Sequence, residues 1–170
     1  MTKNTSNLIS VVVPTYNEEG NITTLFSEIK KSLGQTKFEI IYVDDGSTDN
    51  SLEVVKELSR INKEVKYITF SRNFGHQAAL RAGLEKSKGG AVISMDADLQ
   101  HPPELLPELI EKWKKEGYEV VYTVRKDTNE TSFSKRFTSS LFYKILNFLS
   151  GLKLEEGAAD FRLLDRKSVV

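Results

Sequence analysis

The chain is predicted to fold as an α/β domain around a mainly parallel central sheet. Three observations predict this. Short valine- and isoleucine-rich runs recur without the alternation expected of strands that face water on one side. Between them lie segments whose apolar residues return at helical spacing. The segments with most chemical potential all fall where a run ends, as they should if ligands bind beyond the carboxyl ends of parallel strands.

Leu8 to Val13 is a valine-rich run closed by Pro14 and reads as a first strand buried on both faces. Ile22, Leu25, Phe26, Ile29 and Leu33 then follow helical spacing, with Gly34 as the stop. Phe38 to Val43 is a second buried strand, and Asp49 caps a helix striped by Leu52, Val55 and Leu58. Val65 to Phe70 makes a third strand, followed by a short helix from His76 to Lys86 that ends near Gly89-Gly90. Ala91 to Met95 is the fourth strand.

Pro102-Pro103 suits the first turn of a helix, where a missing N–H costs little. That helix is expected to bury Leu105, Leu106, Leu109, Ile110 and Trp113 until Gly117. Glu119 to Val124 is a fifth strand, and Phe137, Leu141, Ile145 and Leu149 stripe another helix up to Gly151. The polar stretch from Lys126 to Ser134 is the expected mobile loop. Asp165 to Val170 reads as a helix just beginning, without a cap, so the chain is expected to be a piece of something longer.

At 170 residues the chain fits a single domain over 1–170, long enough to bury a core without staples. Acidic and basic residues balance at 24 each, which leaves no electrostatic footprint for nucleic acid. The absence of cysteine excludes disulfides and thiolate metal sites, and fits a reducing compartment. No stretch approaches the roughly 18–20 apolar residues of a membrane span. The polar start, Met1 to Asn7, lacks the apolar core of a signal peptide. A cytoplasmic domain is the expectation.

Asp96 and Asp98 follow the fourth strand two residues apart, so in extended backbone their carboxylates point the same way. Two such charges repel unless a cation sits between them. A hard divalent ion fits, and Gln100 can add a neutral oxygen from the same side. Such an ion could bridge to a diphosphate and neutralise charge as it leaves. The bland alternative is a charged, solvated loop.

Asp44-Asp45-Gly46-Ser47, after the second strand, is either a tight turn before the Asp49 cap or a carboxylate presented to the N–H groups of a nucleobase. Tyr16 could stack on a base or form core rim, and Glu18 could be a solvated helix-start residue. Lys112, Lys114, Lys115 and Lys126 read as solvated faces.

These residues resemble family 2 glycosyltransferases. The resemblance is carried by Val11-Val12-Val13-Pro14-Thr15-Tyr16-Asn17-Glu18, by Val43-Asp44-Asp45-Gly46-Ser47-Thr48-Asp49, by Arg72-Asn73-Phe74-Gly75-His76-Gln77-Ala78-Ala79-Leu80, and by Met95 to Glu104. Lys135 to Tyr143 and Ala159 to Leu164 bring it closest to the polyprenyl-phosphate branch, the dolichol-phosphate-mannose-synthase-like enzymes. The match covers nearly the whole chain in the expected order.

The resemblance implies a GT-A fold, a UDP- or GDP-sugar donor, a polyprenyl phosphate acceptor, and inversion at the anomeric carbon. By that analogy Pro14, Tyr16, Glu18, Asp45 and Ala97 hold the nucleotide, and Asp96, Asp98 and Gln100 hold Mg²⁺ or Mn²⁺ on the diphosphate. Arg125, Arg136 and Ser140, with Ser139 the alternative to Ser140, meet phosphate groups. Asp160 lies near sugar and acceptor. His101 departs from the usual pattern, where an acid stands; it reads as a loop histidine beside Pro102 rather than a metal ligand. The family also continues past this end with further basic residues and, in many members, a membrane-embedded tail, which places the whole protein at the cytoplasmic face of a membrane.

A lipid monophosphate is largely dianionic near pH 7, with a second pKa of about 6, so it hardly needs a base. Asp160 is therefore expected to orient the sugar or the arginines, or to stabilise positive charge on the ring, more than to take a proton. The Phe137 stripe reads as core, with a membrane-surface face beside Lys135 and Arg136 as the alternative. Competing readings are a fragment that binds nucleotide-sugar without turnover and a transferase with a saccharide acceptor. A phosphoacceptor switch would need its acidic pair after the first strand. A nucleotidyltransferase would need a glycine-rich, basic loop there, and neither is present.

Overall fold

The computed structural model describes residues 7–124 and 158–169. Two compact units divide the chain, Met1–Val121 with Asp160–Val170, and Tyr122–Ala159. The core and the site described below belong to the first.

The body of the sheet is parallel. β1 (Ile9–Thr15) lies between β2 (Phe38–Asp44) and β4 (Ala91–Ser94), with β3 (Val65–Thr69) beyond β2. Every residue of β1 is buried, which is why its run shows no alternation. α1 (Ile22–Leu33) buries the five predicted positions and stops at Gly34, whose φ of 50° suits glycine. The Tyr42 hydroxyl of β2 donates to the Ile22 carbonyl, and burial pushes this phenol's pKa up.

The neighbours of Tyr42 along β2, Ile41 and Val43, face the other way. There they pack with Val12, Val92 and with Ala79 and Leu80 of α3 (His76–Lys86). Gly83 allows that approach: a Cβ on it would stand 2.3 Å from Val12 Cγ1. α2 (Ser51–Ile61) packs against β3 and α1. The chain thus steps outward from β1 to β2 to β3, then crosses back through α3 to lay β4 on the far side of β1.

Pro14 does not end the first strand. It pairs with Val43, one residue before Thr15. The β1–β4 register stops at Val12↔Ser94, so the missing N–H of Pro14 takes no bond from that ladder. The expected continuous helix after Pro102 is divided into a 3₁₀ turn (Pro103–Leu105), α4 (Leu106–Glu111) and a π-helical turn (Lys112–Glu116), closed by Gly117 at φ 76°. Pro107 explains the first break, because it has no N–H to return to the Pro103 carbonyl. Leu105 is only half-buried in consequence.

Beyond β4 the sheet turns antiparallel. β6 (Ala158–Asp165) pairs from Ala91↔Asp165 to Ser94↔Arg162, and β5 (Val120–Val124) stands next to it at the edge. The sequence does not predict β6. Asp165 ends it, and its Oδ1 accepts the Lys167 N–H at 3.0 Å, capping a single 3₁₀ turn (Arg166–Ser168) where a helix start is expected. Its Oδ2 accepts the Trp113 indole N–H at 2.7 Å. The Phe137 stripe and the 126–134 stretch lie outside the described residues. No helix among the described residues is long and apolar enough to cross a membrane.

Candidate functional site

Strand order reverses between β1 and β4, and in such sheets ligands bind at that point, beyond the carboxyl ends of the strands. The structure has a cleft there of about 380 Å³. Four segments border it: Pro14 to Glu18 across the end of β1, Asp45 after β2, Asn73 to Ala79 around the start of α3, and Asp96 to Asp98 after β4.

The β1 and β2 loops brace each other. Asn17, at a left-handed φ of 57°, receives the Thr48 N–H on Oδ1 at 2.8 Å, and its own N–H donates to Ser47 Oγ at 3.0 Å. The Glu18 N–H donates to Ser51 Oγ at 2.7 Å. Asp49 accepts the N–H of Ser51 in the first turn of α2 and, with its other oxygen, that of Glu19. The expected cap is therefore also a loop clamp. On this platform Tyr16 is 45% exposed, while Pro14 is buried. Glu18 lines the cleft but also accepts the Asn21 side-chain N–H at 2.6 Å, a helix-start role.

The two aspartates after β2 divide the two readings between them. Asp44 is the turn residue: it accepts the Ser47 N–H at 3.3 Å and the Thr69 hydroxyl at 3.1 Å. Asp45 borders the cleft, yet its two oxygens accept the Phe74 and Gly75 N–H groups at 2.7 and 2.9 Å. Gly46, at φ 70°, lets the Arg72 backbone pass; a Cβ would meet the Arg72 carbonyl carbon at 2.5 Å. Arg72 in turn lies over the exposed Phe74 ring at 4.2 Å.

After β4 the Met95 N–H still donates to Val12 O, so Asp96 leaves from a fixed strand end. The pair stands on a bend rather than on extended backbone, but Asp96 and Asp98 both border the cleft, with buried Ala97 between them. Asp98 Oδ1 accepts the Gln100 N–H at 3.0 Å across Leu99, which takes a left-handed φ of 61°. Gln100 is exposed and is not among the residues lining the cleft. Asp96 Oδ1 stands 3.0 Å from His76 Nε2, a residue singled out only within a matching stretch. Its signal is positional: it opens the helix that follows β3.

His101 stands in the loop between β4 and the 3₁₀ turn, as expected, but it does not face solvent. It is 3% exposed, accepts the Asp96 N–H on Nδ1 at 3.2 Å, and stacks on Phe161 with ring centroids 5.3 Å apart. Asp160 lies on β6, in the same unit as Asp96. Arg125, Arg136, Ser139 and Ser140 lie outside the described residues.

Among the described residues, no group of three or more histidine, aspartate and glutamate side chains could alone hold a metal ion. Two cleft carboxylates nevertheless fit Mg²⁺ or Mn²⁺ completed by ligand phosphates, since Mg²⁺ commonly takes one or two carboxylates, phosphate oxygens and water. The donors present, oxygen from Asp96 and Asp98, are of the right hardness.

Residues 10–170 match the model of glycosyl transferase family 2. The chain is 48% identical over 160 residues to the uncharacterized glycosyltransferase YkcC of Bacillus subtilis, covering 93% of this chain and 49% of that protein. It is 40% identical over 163 residues to the bactoprenol glucosyl transferase of Shigella phage SfV, covering 95% and 53%. The chain spans about half the length of these curated relatives. Among solved structures, S. aureus TarS 1-349 in complex with UDP-GlcNAc superposes with a TM-score of 0.60 at 31% identity, covering 73% of this chain and 36% of that one. The three-layer arrangement is the GT-A fold of glycosyltransferases. The chain belongs to glycosyl transferase family 2.

Proposed function

We propose that the protein moves a sugar, with inversion at the anomeric carbon, from a UDP- or GDP-sugar to a polyprenyl phosphate at the cytoplasmic face of a membrane. The observation that carries this reading is the pair Asp96 and Asp98, on the wall of a cleft whose other side is the braced loop bearing Tyr16 and Glu18. The acceptor is supported by the likeness to the phage bactoprenol glucosyl transferase. The likeness to TarS with UDP-GlcNAc makes uridine the first base to try.

In this reading the exposed Tyr16 stacks on the base, while Pro14, Glu18, Asp45 and Ala97 shape the nucleotide site. Asp96 and Asp98, with Gln100 moving in, would hold Mg²⁺ or Mn²⁺, which offsets the charge gathering on the departing diphosphate. Arg125, Arg136 and Ser140 take phosphate groups, the arginines by paired hydrogen bonds suited to them. A dianionic acceptor phosphate attacks without losing a proton, so Asp160 orients sugar and arginines.

The test is transfer of labelled sugar from a UDP- or GDP-sugar to polyprenyl phosphate in vesicles, with and without Mn²⁺, alongside Asp160→Asn. Metal-dependent lipid labelling is expected, and a loss in Asp160→Asn that raising the pH does not restore. Donor binding with no transfer to lipid or saccharide would reduce the reading to nucleotide-sugar binding.

A further inference from the structure

We propose that His101 is a positioning residue that locks the metal-holding aspartate to the strand bearing Asp160 through a single buried imidazole. This rests on the roles given above to Asp96, Asp98 and Asp160. The Asp96 N–H donates to His101 Nδ1 at 3.2 Å, so Nδ1 is an acceptor and the ring proton sits on Nε2. The same nitrogen stands 3.6 Å from Asp96 Oδ2. A lone pair facing a carboxylate oxygen attracts nothing, so the ring fixes the Asp96 backbone while leaving the carboxylate turned outward, where Oδ1 meets His76.

A second contact of the ring runs toward β6. His101 lies nearly parallel to Phe161, at an interplanar angle of 22°. Both rings are buried, at 3% and 1% exposure, so neither can shift without disturbing the core. β4 and β6 are antiparallel, and their last register pair is Ser94↔Arg162. Asp96 follows Ser94 by two residues, after β4 has ended, and Asp160 precedes Arg162 by two on β6, so both lie beyond the last pair at the same end of the ladder. His101 therefore grips the donor side of the site by a hydrogen bond and the Asp160 side by stacking on the next residue. A histidine fits both tasks, since its ring stacks on Phe161 and its Nδ1 is a neutral acceptor.

The two grips are separable. His101→Phe keeps a ring against Phe161 but has no acceptor for the Asp96 N–H. His101→Asn keeps an acceptor oxygen near the place of Nδ1 but has no ring. Phe161→Leu removes the stack from the other side. The full chain is compared in these variants by two readouts: Mn²⁺ affinity in the presence of UDP or GDP, from the electron paramagnetic resonance of free Mn²⁺, and kcat for transfer.

His101→Phe is expected to lose roughly tenfold or more in Mn²⁺ affinity, the scale seen when a group supporting a metal ligand is removed. His101→Asn is expected to recover that affinity while kcat stays low, and Phe161→Leu to lower kcat with Mn²⁺ affinity unchanged. If His101→Phe does not fold, the contrast between His101→Asn and Phe161→Leu decides. Mn²⁺ affinity unchanged in His101→Phe, or no recovery in His101→Asn, overturns the proposal. If the unaltered protein binds no Mn²⁺ with either nucleotide, the functional reading itself falls.

Discussion

Asp45 and Gly75, 30 residues apart in the chain, are joined by a 2.9 Å bond from the Gly75 N–H to Oδ2. Oδ1 takes the neighbouring Phe74 N–H at 2.7 Å. The loop that delivers His76 to the cleft therefore hangs on a carboxylate from the next strand. Hydrogen bonds to a charged group contribute about 1.5–3 kcal/mol each. Asp45→Ala should destabilise the fold by about 2–4 kcal/mol, and donor binding should weaken with it. Urea unfolding checks the first; a midpoint equal to that of the unaltered protein would show that the loop is held by other means.

Gly83 and Val12 give a packing test. Gly83→Ala puts a methyl 2.3 Å from Val12 Cγ1, an overpacking that costs typically about 1–3 kcal/mol. Trimming Val12 to alanine opens the room. The double variant Gly83→Ala/Val12→Ala should lose less stability than the two single losses added, which thermal unfolding of all three can read. Simple additivity would mean that α3 shifts rather than presses on β1.

At the amino ends of the strands, Glu39 is buried with Lys66 on one oxygen and the Ser10 hydroxyl and Lys88 N–H on the other. Burial pushes its carboxyl up, but these bonds outweigh burial and hold it below its ordinary pKa of 4.5. A carboxyl depressed by folding binds fewer protons in the folded state than in the unfolded one. Its contribution is therefore present above about pH 4.5 and is lost as pH falls through the lower, folded value. Glu39→Gln should be less stable at neutral pH, with a shallower decline in acid. Identical acid limbs in urea unfolding would contradict this.

How far the sequence reaches depends on where the stabilising partner lies. β1, β2 and β4 are legible because burial on both faces writes a mostly apolar run, as in Val11 to Val13, whereas β3 buries only Val65 fully and exposes Lys66, Tyr67 and Thr69. β6 is not legible, because it alternates: Phe161, Leu163 and Asp165 are buried, Arg162 and Leu164 only half-buried. Asp165 reads only as the start of an uncapped helix, since its partner Trp113 is 52 residues away.

In the site, the place of Asp96 and Asp98 on the border of the cleft is legible from their position just after an apolar run. The loop position of His101 is legible but its burial is not, because accepting a backbone N–H leaves no trace in residue types. Asp45 likewise reads as turn or ligand, because the N–H groups that occupy it come from another loop. Gln100 is placed beside Asp98 by assuming extended backbone, and the left-handed Leu99 removes that assumption.

Thermal unfolding of the chain with UDP or GDP, each with and without Mn²⁺, tests the central claim most directly. A nucleotide that binds the folded state at about a hundred times its Kd adds about 2.7 kcal/mol. In a chain of this size that should raise Tm by about 5–10 °C. The predicted result is a rise for one of the two nucleotides that needs Mn²⁺ and is lost in Asp98→Ala. No rise with either diphosphate, or a rise of equal size without the metal and in Asp98→Ala, would contradict a metal-held diphosphate at Asp96 and Asp98.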